Sequence, residues 1–355
     1  MKPVRLTWID YAKGIAILLV IYRHVFEGIK LSGASIDGRE FLEYANIFLF
    51  SFRMPLFFII SGVFISKSLG KKGLAHYTED RARTVLYPYF VWGALHITLQ
   101  MIFTRYTNGH PDAKSYLYLF YLPRELAHFW YLYALFNVSV LYAFSKQVLR
   151  VSATTNVAIG LILYFLSSYT YRQHIETGFV GDIMHYYLFI SIGDWISRYV
   201  LESKLKEKLG TGTSILILLP FFLLAQYYFL TRNLEAGIDK YMFVEYFQPA
   251  IFLLIALVGS FFILNLTFFL QRLDRLKFLT YIGSHSLQIY VAHVMCFAAV
   301  RIVMTRFLHI NDVVILLICG IIAGASMPLL IDWIANKLNM RWIFSLDKKS
   351  SIKKA

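Results

Sequence analysis

Ten stretches of roughly twenty apolar residues follow one another along the 355-residue chain. A hydrocarbon core of about 30 Å takes about 20 helical residues to cross. A backbone inside lipid must satisfy its own hydrogen bonds, which leaves only helices or a closed barrel, and runs of this length suit helices. Their approximate limits are 8–28, 43–66, 84–104, 128–146, 153–171, 180–198, 212–230, 246–270, 280–303 and 313–335. The expected fold is an all-α integral membrane protein, a bundle of about ten transmembrane helices. Tyr, Ser and His dilute the fifth and sixth runs, so a helix there could be short or re-entrant.

Composition agrees with that reading. At 58% hydrophobic residues, 16% charged residues and a mean hydropathy of +0.57, a soluble fold would need a very apolar surface. The net charge of +14 does not point to nucleic acid, because the cations sit in loops between the apolar runs. No basic stretch with interleaved aromatics is long enough to follow a phosphate backbone. Cys296 and Cys319 lie in apolar segments without ligand-type spacing and read as small core residues. Lys13, Arg23 and His24 interrupt the first run and no small-residue cleavage site follows, so this segment is expected to be retained rather than removed as a signal peptide.

An even number of spans puts both termini on one side, and the lysine and arginine distribution indicates which. One set of loops and ends holds Lys2, Arg5, Lys67, Lys71, Lys72, Arg81, Arg83, Lys146, Arg150, Arg198, Lys204, Lys206, Lys208, Arg272, Arg275, Lys277, Lys337, Arg341, Lys348, Lys349, Lys353 and Lys354, twenty-two in all. The other set holds nine: Lys30, Arg39, Arg105, Lys114, Arg124, Arg172, Arg232, Lys240 and Arg306. The excess predicts cytoplasmic N- and C-termini. Without an internal repeat or a long linker, residues 1–355 read as one transmembrane domain, with a short basic cytoplasmic tail over 336–355.

The first run carries chemistry on one stripe. From Lys13 to His24 is eleven residues, roughly 1100° of helical rotation and only about 20° from three full turns. Asp10 and Glu27 fall on the same side, with Ile17 and Val20 between, while Ile15, Leu18, Leu19, Tyr22 and Phe26 make the opposite side apolar. Ionisable groups at membrane depth face a protein interior or a watery cavity. With cytoplasmic termini Lys13 sits near the inner entrance, and His24 lies about 16 Å further along. A neutral histidine there can act as a general base, against the simpler reading of a packing histidine. Asp10 and Lys13, three residues apart, equally suit a local ion pair at the interface.

Other segments offer candidates beside plain structural alternatives. In FRMPLFFIISGVF, Arg53 needs a partner, with Glu43 and Glu27 in reach by sequence, and Pro55 with Ser61 and Gly62 suggests a bent helix beside a cavity. The cations of KSLGKKGLAHYTEDRAR simply obey the positive-inside rule at Lys67, Lys71 and Lys72, whereas Arg81 and Arg83 abut the next helix and could project into the bundle. In AHFWYLYALF, His128 and Trp130 read either as part of an aromatic membrane belt or as a surface on which a sugar ring stacks. His285 and His293 lie about 80° apart on the ninth helix, with His293 the acceptor-site candidate. A metal site is not expected, because no two histidines have close helical spacing with a carboxylate partner.

Taken together, these segments resemble the membrane acyltransferase 3 family. Lys13, ten intervening residues and His24, preceded by WIDYAKG, are similar to its Arg-x10-His signature within the opening pattern R-x-x-x-x-D-x-x-(R/K)-G. FRMPLFFIISG, RARTVLYPY, HFWYLYALF and SLQIYVAHV follow in family order, so the likeness spans nearly the whole chain, with a suggestion of the fucose 4-O-acetylase-like branch. The resemblance implies a ten-helix protein that moves acetyl from acetyl-CoA onto a cell-surface polysaccharide or lipid-linked sugar at a bacterial inner membrane. By position His24 matches the catalytic histidine and Lys13 replaces the arginine, which removes a forked contact. The family's Arg-x-x-Arg is half present, with Arg81 at the first position, Thr84 at the second and Arg83 as a substitute.

The chemistry that follows has Lys13, Arg81 and Arg83 holding the phosphates of acetyl-CoA. Asp10 stands beside the catalytic pair Lys13 and His24, and Arg53 and Ser61 stabilise an oxyanion. Glu27, His128, Trp130 and His293 would meet the acceptor. His24 either activates a hydroxyl or carries the acetyl group itself. No metal and no nucleic-acid partner are expected, the lipid bilayer is the surrounding partner, and a homo-oligomer is left open. A transporter or flippase for a polar or anionic solute is the rival reading, since a charged stripe beside a broken helix also describes a translocation path. A scaffold component of a glycan machine would leave the stripe without purpose.

Overall fold

The computed structural model describes residues 6–202, 209–237 and 241–346, and all regular structure among them is helical. In chain order the helices are α1 (Thr7–Leu31), α2 (Phe41–Phe48), α3 (Arg53–Val63), α4 (Ile65–Arg81), α5 (Tyr87–Ile102), α6 (Ser115–Tyr121), α7 (Trp130–Gln147) and α8 (Ala153–Arg172). They continue as α9 (Phe179–Glu202), α10 (Gly212–Glu235), α11 (Phe243–Phe247), α12 (Pro249–Leu273), α13 (Lys277–Ser284), α14 (Ser286–Ile302) and α15 (Val313–Lys337). Single π turns cover Ala82–Leu86 and Val303–Phe307, and 3₁₀ turns cover Pro123–Phe129 and Arg341–Ile343. Of the cations used to orient the chain, Lys2, Arg5, Lys204, Lys206, Lys208, Lys240, Lys348, Lys349, Lys353 and Lys354 lie outside the described residues, and the basic tail is described only as far as Leu346.

Seven helical stretches are long and apolar enough to cross a membrane: Phe41–Val63, Ile65–Ile102, Pro123–Gln147, Gly212–Glu235, Pro249–Leu273, Ser286–Phe307 and Val313–Lys337. The other three expected runs are helical too, with 25 residues in α1, 20 in α8 and 24 in α9, but they are more polar. The fifth and sixth runs are thus continuous helices of membrane-spanning length. On α10 and α15 large apolar side chains point outward, among them Leu216, Phe221, Leu224 and Ile318, each more than half exposed. Apolar patches of that extent call for lipid.

Helix α1 runs through the middle of the bundle, touching α2, α3, α12, α13, α14 and α15. Ile17 and Val20, on the stripe between Lys13 and His24, are almost wholly buried, so the stripe faces protein rather than hydrocarbon. Glycines permit the tightest approaches. A Cβ on Gly14 would strike the Leu279 carbonyl of α13, and one on Gly283 would strike the Asp10 carbonyl of α1. Gly62 of α3 and Gly193 of α9 face each other in the same way, each against a carbonyl of the opposite helix. Such small-residue contacts are how helices associate in lipid, where apolar burial gives little drive.

Two expected spans are broken. The second divides into α2 and α3 around Leu49–Phe52, ahead of Pro55 in the first turn of α3, where a missing N–H is harmless. The ninth divides at His285 between α13 and α14. Elsewhere side chains set the ends: Ser152 caps α8, Thr211 and Ser214 form a capping box on α10, and Asp312 accepts from the Val314 and Ile315 amides of α15 at 2.9 and 3.0 Å.

Candidate functional site

A cavity of about 1400 Å³ opens beside the Leu31 end of α1. Its wall is built from α1, the α2–α3 break, α5, the loop after α5, the 3₁₀ turn before α7, and α14. Of the residues singled out from sequence, His24, Glu27, Arg53 and Trp130 line it.

His24 is one of four histidines gathered from four separate elements. Its ring centroid lies 5.3 Å from that of His293 on α14 and 5.7 Å from that of His128. His128 is 4.8 Å from His293 and 5.9 Å from His96 on α5. His128 is therefore bundle interior and not part of an aromatic belt, because Ala127 takes a left-handed turn (φ 55°) that swings it inward. His293 Nδ1 lies 2.7 Å from the Tyr290 carbonyl and 3.1 Å from that of Ile289. Carbonyls only accept, so Nδ1 carries the proton and Nε2 of the neutral ring carries the lone pair. Among the described residues, that Nε2 and both ring nitrogens of His128 are buried without a hydrogen-bond partner. Among the described residues no cluster of His, Cys, Asp and Glu has the geometry of a metal site.

Arg53 is 3% exposed, and its partners differ from the carboxylates suggested by sequence. Nε donates to the Leu49 carbonyl at 2.7 Å, Nη1 to the Leu19 carbonyl at 3.1 Å, and Nη2 to both the Asn46 carbonyl and Asn46 Oδ1. The break after α2 strands carbonyls that a continuous helix would have bonded, and the guanidinium takes them. Asn46 Nδ2 in turn donates to Glu27 at 3.2 Å, so Arg53 reaches Glu27 through an amide. Glu43 belongs elsewhere, accepting from Lys30 and Tyr241 at 2.8 Å each. Four of the five N–H groups of Arg53 are occupied by the described residues, leaving one unused among them.

At the opposite end of α1, Asp10 and Arg81 both lie close enough to Lys13 to act on it electrostatically. Arg81 is steered by Tyr77, whose hydroxyl accepts from Nε at 3.1 Å. Arg83 turns away, paired with Glu79 one turn back at 2.6 Å, as expected two residues after Arg81, about 200° around the helix. The structure therefore brings Lys13, Asp10 and Arg81 together and leaves Arg83 apart. Ser61 is half-buried and does not line the cavity. Trp130 already carries the Arg124 guanidinium 4.4 Å over its ring and stacks with Tyr186, which restricts the face open to a sugar.

Several polar residues of the cavity carry no motif. His96, Glu245 with its buried partner His185 at 3.1 Å, and Arg301 all lie in or beside it. One signal could have found His96, His185 and Arg301: each is an ionisable residue inside an apolar run, the criterion that picks out His24.

The comparisons with known proteins identify a family. The family described as an acyltransferase domain matches residues 6–333. The nodulation protein NolL of Mesorhizobium japonicum (strain LMG 29417 / CECT 9101 / MAFF 303099) is 27% identical over 172 residues, which are 46% of this chain and 44% of that protein. The match thus spans less than half of the relative's length. No solved structure matches the chain. With nearly its whole length matched, the chain belongs to the acyltransferase 3 family of membrane proteins.

Proposed function

We propose that the protein is an O-acyltransferase that moves an acetyl group from cytoplasmic acetyl-CoA to a hydroxyl of a cell-surface polysaccharide or lipid-linked sugar. The observation that carries this reading is the placement of His24 on the wall of a large cavity, with no hydrogen bond to its ring from the described residues, on the same helix as Lys13. In this reading α1, α8 and α9 join the seven apolar stretches to make ten spans with both termini cytoplasmic, in a bacterial inner membrane. Residues 1–355 act as one domain, with 336–355 as a basic tail.

The donor then comes to the Lys13 end, where Lys13 and Arg81 supply positive charge to its phosphates. Its thin acyl-bearing arm extends along α1 toward His24, and the acceptor fills the cavity at the other end. His24 takes the proton from the acceptor hydroxyl, the oxygen attacks the thioester carbonyl, and the C–S bond breaks. The departing thiolate receives the proton from His24, which restores the neutral ring. Glu27 and the free N–H of Arg53 flank this centre. The motif resemblance to the fucose 4-O-acetylase-like branch supports a sugar acceptor.

The test is CoA release by purified protein in detergent with acetyl-CoA and a panel of sugars. Wild type is expected to release CoA only when an acceptor is present, and His24→Ala to lose about 10²–10⁴-fold of that rate. Release unchanged in the variant would remove His24 from the chemistry. Absence of donor binding would favour transport of a polar solute.

A further inference from the structure

Four arginines line the cavity, and three are committed to the protein. Arg23 pairs with Glu27 at 3.8 Å and lies 4.6 Å over the Phe50 ring, Arg53 is held by carbonyls and Asn46, and Arg124 is clamped to Asp182 at 2.7 Å. Arg301 of α14 is different. It is 7% exposed, yet only Nη1 is engaged, donating to the Gly28 carbonyl at 2.6 Å and to Asn108 Oδ1 at 3.1 Å. Among the described residues no carboxylate forms an ion pair with Arg301 and Nη2 makes no hydrogen bond, while Nε is buried without a partner. The Nε–Nη2 edge of a guanidinium presents two parallel N–H groups that match the two oxygens of a carboxylate or phosphate. A guanidinium enclosed this far with that edge unused is costly unless something fills it.

Its position also has a length scale. Asn108, in the loop after α5 that lines the cavity, donates to the same Gly28 carbonyl at 3.1 Å, so loop, α1 and α14 all converge on that atom. Gly28 lies four residues beyond His24 on α1, about 6 Å along the helix axis. Arg301 is thus anchored about one turn of α1 from His24, an axial separation comparable to the length of a hexose ring.

We infer that Arg301 binds an oxyanion carried by the acceptor's own sugar unit, so that the cavity selects anionic sugars, either glycosyl phosphates or uronic acids, over neutral ones. This rests on the acyltransferase reading for the identity of the ligand as acceptor, whereas the oxyanion subsite itself can be measured without turnover. Arg301 fixes the ring by its charged substituent and thereby decides which hydroxyl faces His24.

The experiment is calorimetric binding to full-length His24→Ala protein in phospholipid-free neutral detergent, with hexose 1-phosphate, glucuronate and free hexose as probes. The expected result is that at least one anionic sugar binds about 10- to 100-fold more tightly than the free hexose, the value of one charge-assisted fork. Inorganic phosphate should compete with it. Arg301→Gln should erase the preference, and Arg301→Lys, which keeps charge without the fork, should restore part of it. Equal binding of anionic and neutral sugars, no binding of either anionic sugar, or a preference that survives Arg301→Gln overturns the inference. So does displacement of the anionic sugar by CoA, which would place the donor at Arg301. Loss of binding when phosphatidylglycerol nanodiscs replace detergent would assign the edge to a lipid headgroup and also overturn it. If Arg301→Gln does not fold, the wild-type comparison and the Lys variant still decide. A clear anion preference without acyl transfer to any acceptor would leave the subsite standing while the acyltransfer reading fails.

Discussion

Arg53 shows how a single side chain can be both obligatory and easily misread. A guanidinium at membrane depth needs acceptors, and carboxylates are the obvious ones to seek in the sequence. The nearest acceptors turn out to be the carbonyls of Asn46 and Leu49, freed by the break between α2 and α3, and that of Leu19 on α1. Lysine keeps the charge but cannot spread its donors over that plane. Arg53→Lys is expected to destabilise the protein by about 2–4 kcal/mol, since buried acceptors are left unmet. Thermal unfolding in detergent measures it, and an unchanged transition would mean that the fork is dispensable. His24 depends on the same scale of detail: the neighbouring His293 ring, 5.3 Å away between centroids, is fixed by Nδ1 against its own helix backbone.

Among the elements, α3 and α9 depend on the contact of Gly62 with Gly193, where even a methyl group would meet backbone. Gly62→Ala should cost about 1–3 kcal/mol through overpacking. Gly70→Ala on α4, where a Cβ meets nothing within 4 Å, should be neutral or stabilise by up to about 1 kcal/mol. Thermal melts of the two variants side by side separate close helix approach from simple helix propensity. The start of α15 has a pH signature instead. Arg39, 2.7 Å from Asp312, and the capped amides hold the Asp312 carboxyl below its ordinary value. With the folded value depressed, this contribution is fully present above the unfolded value near 3.9 and is lost as pH falls through the lower folded value. A scan of melting temperature from neutral pH to below pH 4 should therefore slope less for Asp312→Asn than for wild type; parallel curves would contradict the assignment.

For the whole molecule the decisive property is sidedness. Ten spans put both ends on one face, whereas seven would put them on opposite faces. After replacement of Cys296 and Cys319, a cysteine at Ser35 or His174 is expected to react with an impermeant maleimide from outside intact cells. One at Lys71 or Ser345 should react only after permeabilisation. Labelling of Ser345 and Ser35 positions from the same side would rule out the ten-span topology. The cavity beside the Leu31 end of α1 then faces outward, and the Lys13 cluster faces the donor.

What the amino-acid sequence determined by itself is the set of properties that depend on local composition and on rotation along one helix. Apolar runs located the long helices, and the period of 3.6 residues put Lys13, His24 and Glu27 on one side of α1. Its motif order led to the acyltransferase 3 family, which the match over residues 6–333 bears out. Tertiary structure alone decided what depends on neighbours distant in the chain. His128 and His293 meet His24 from two other elements with His96 beside His128, Arg81 joins Lys13 while Arg83 pairs with Glu79, and Arg301 reaches the Gly28 carbonyl across 273 residues. Such contacts have no periodicity to read. They arise because glycine pairs and broken helices set how closely and at what angle the helices pack.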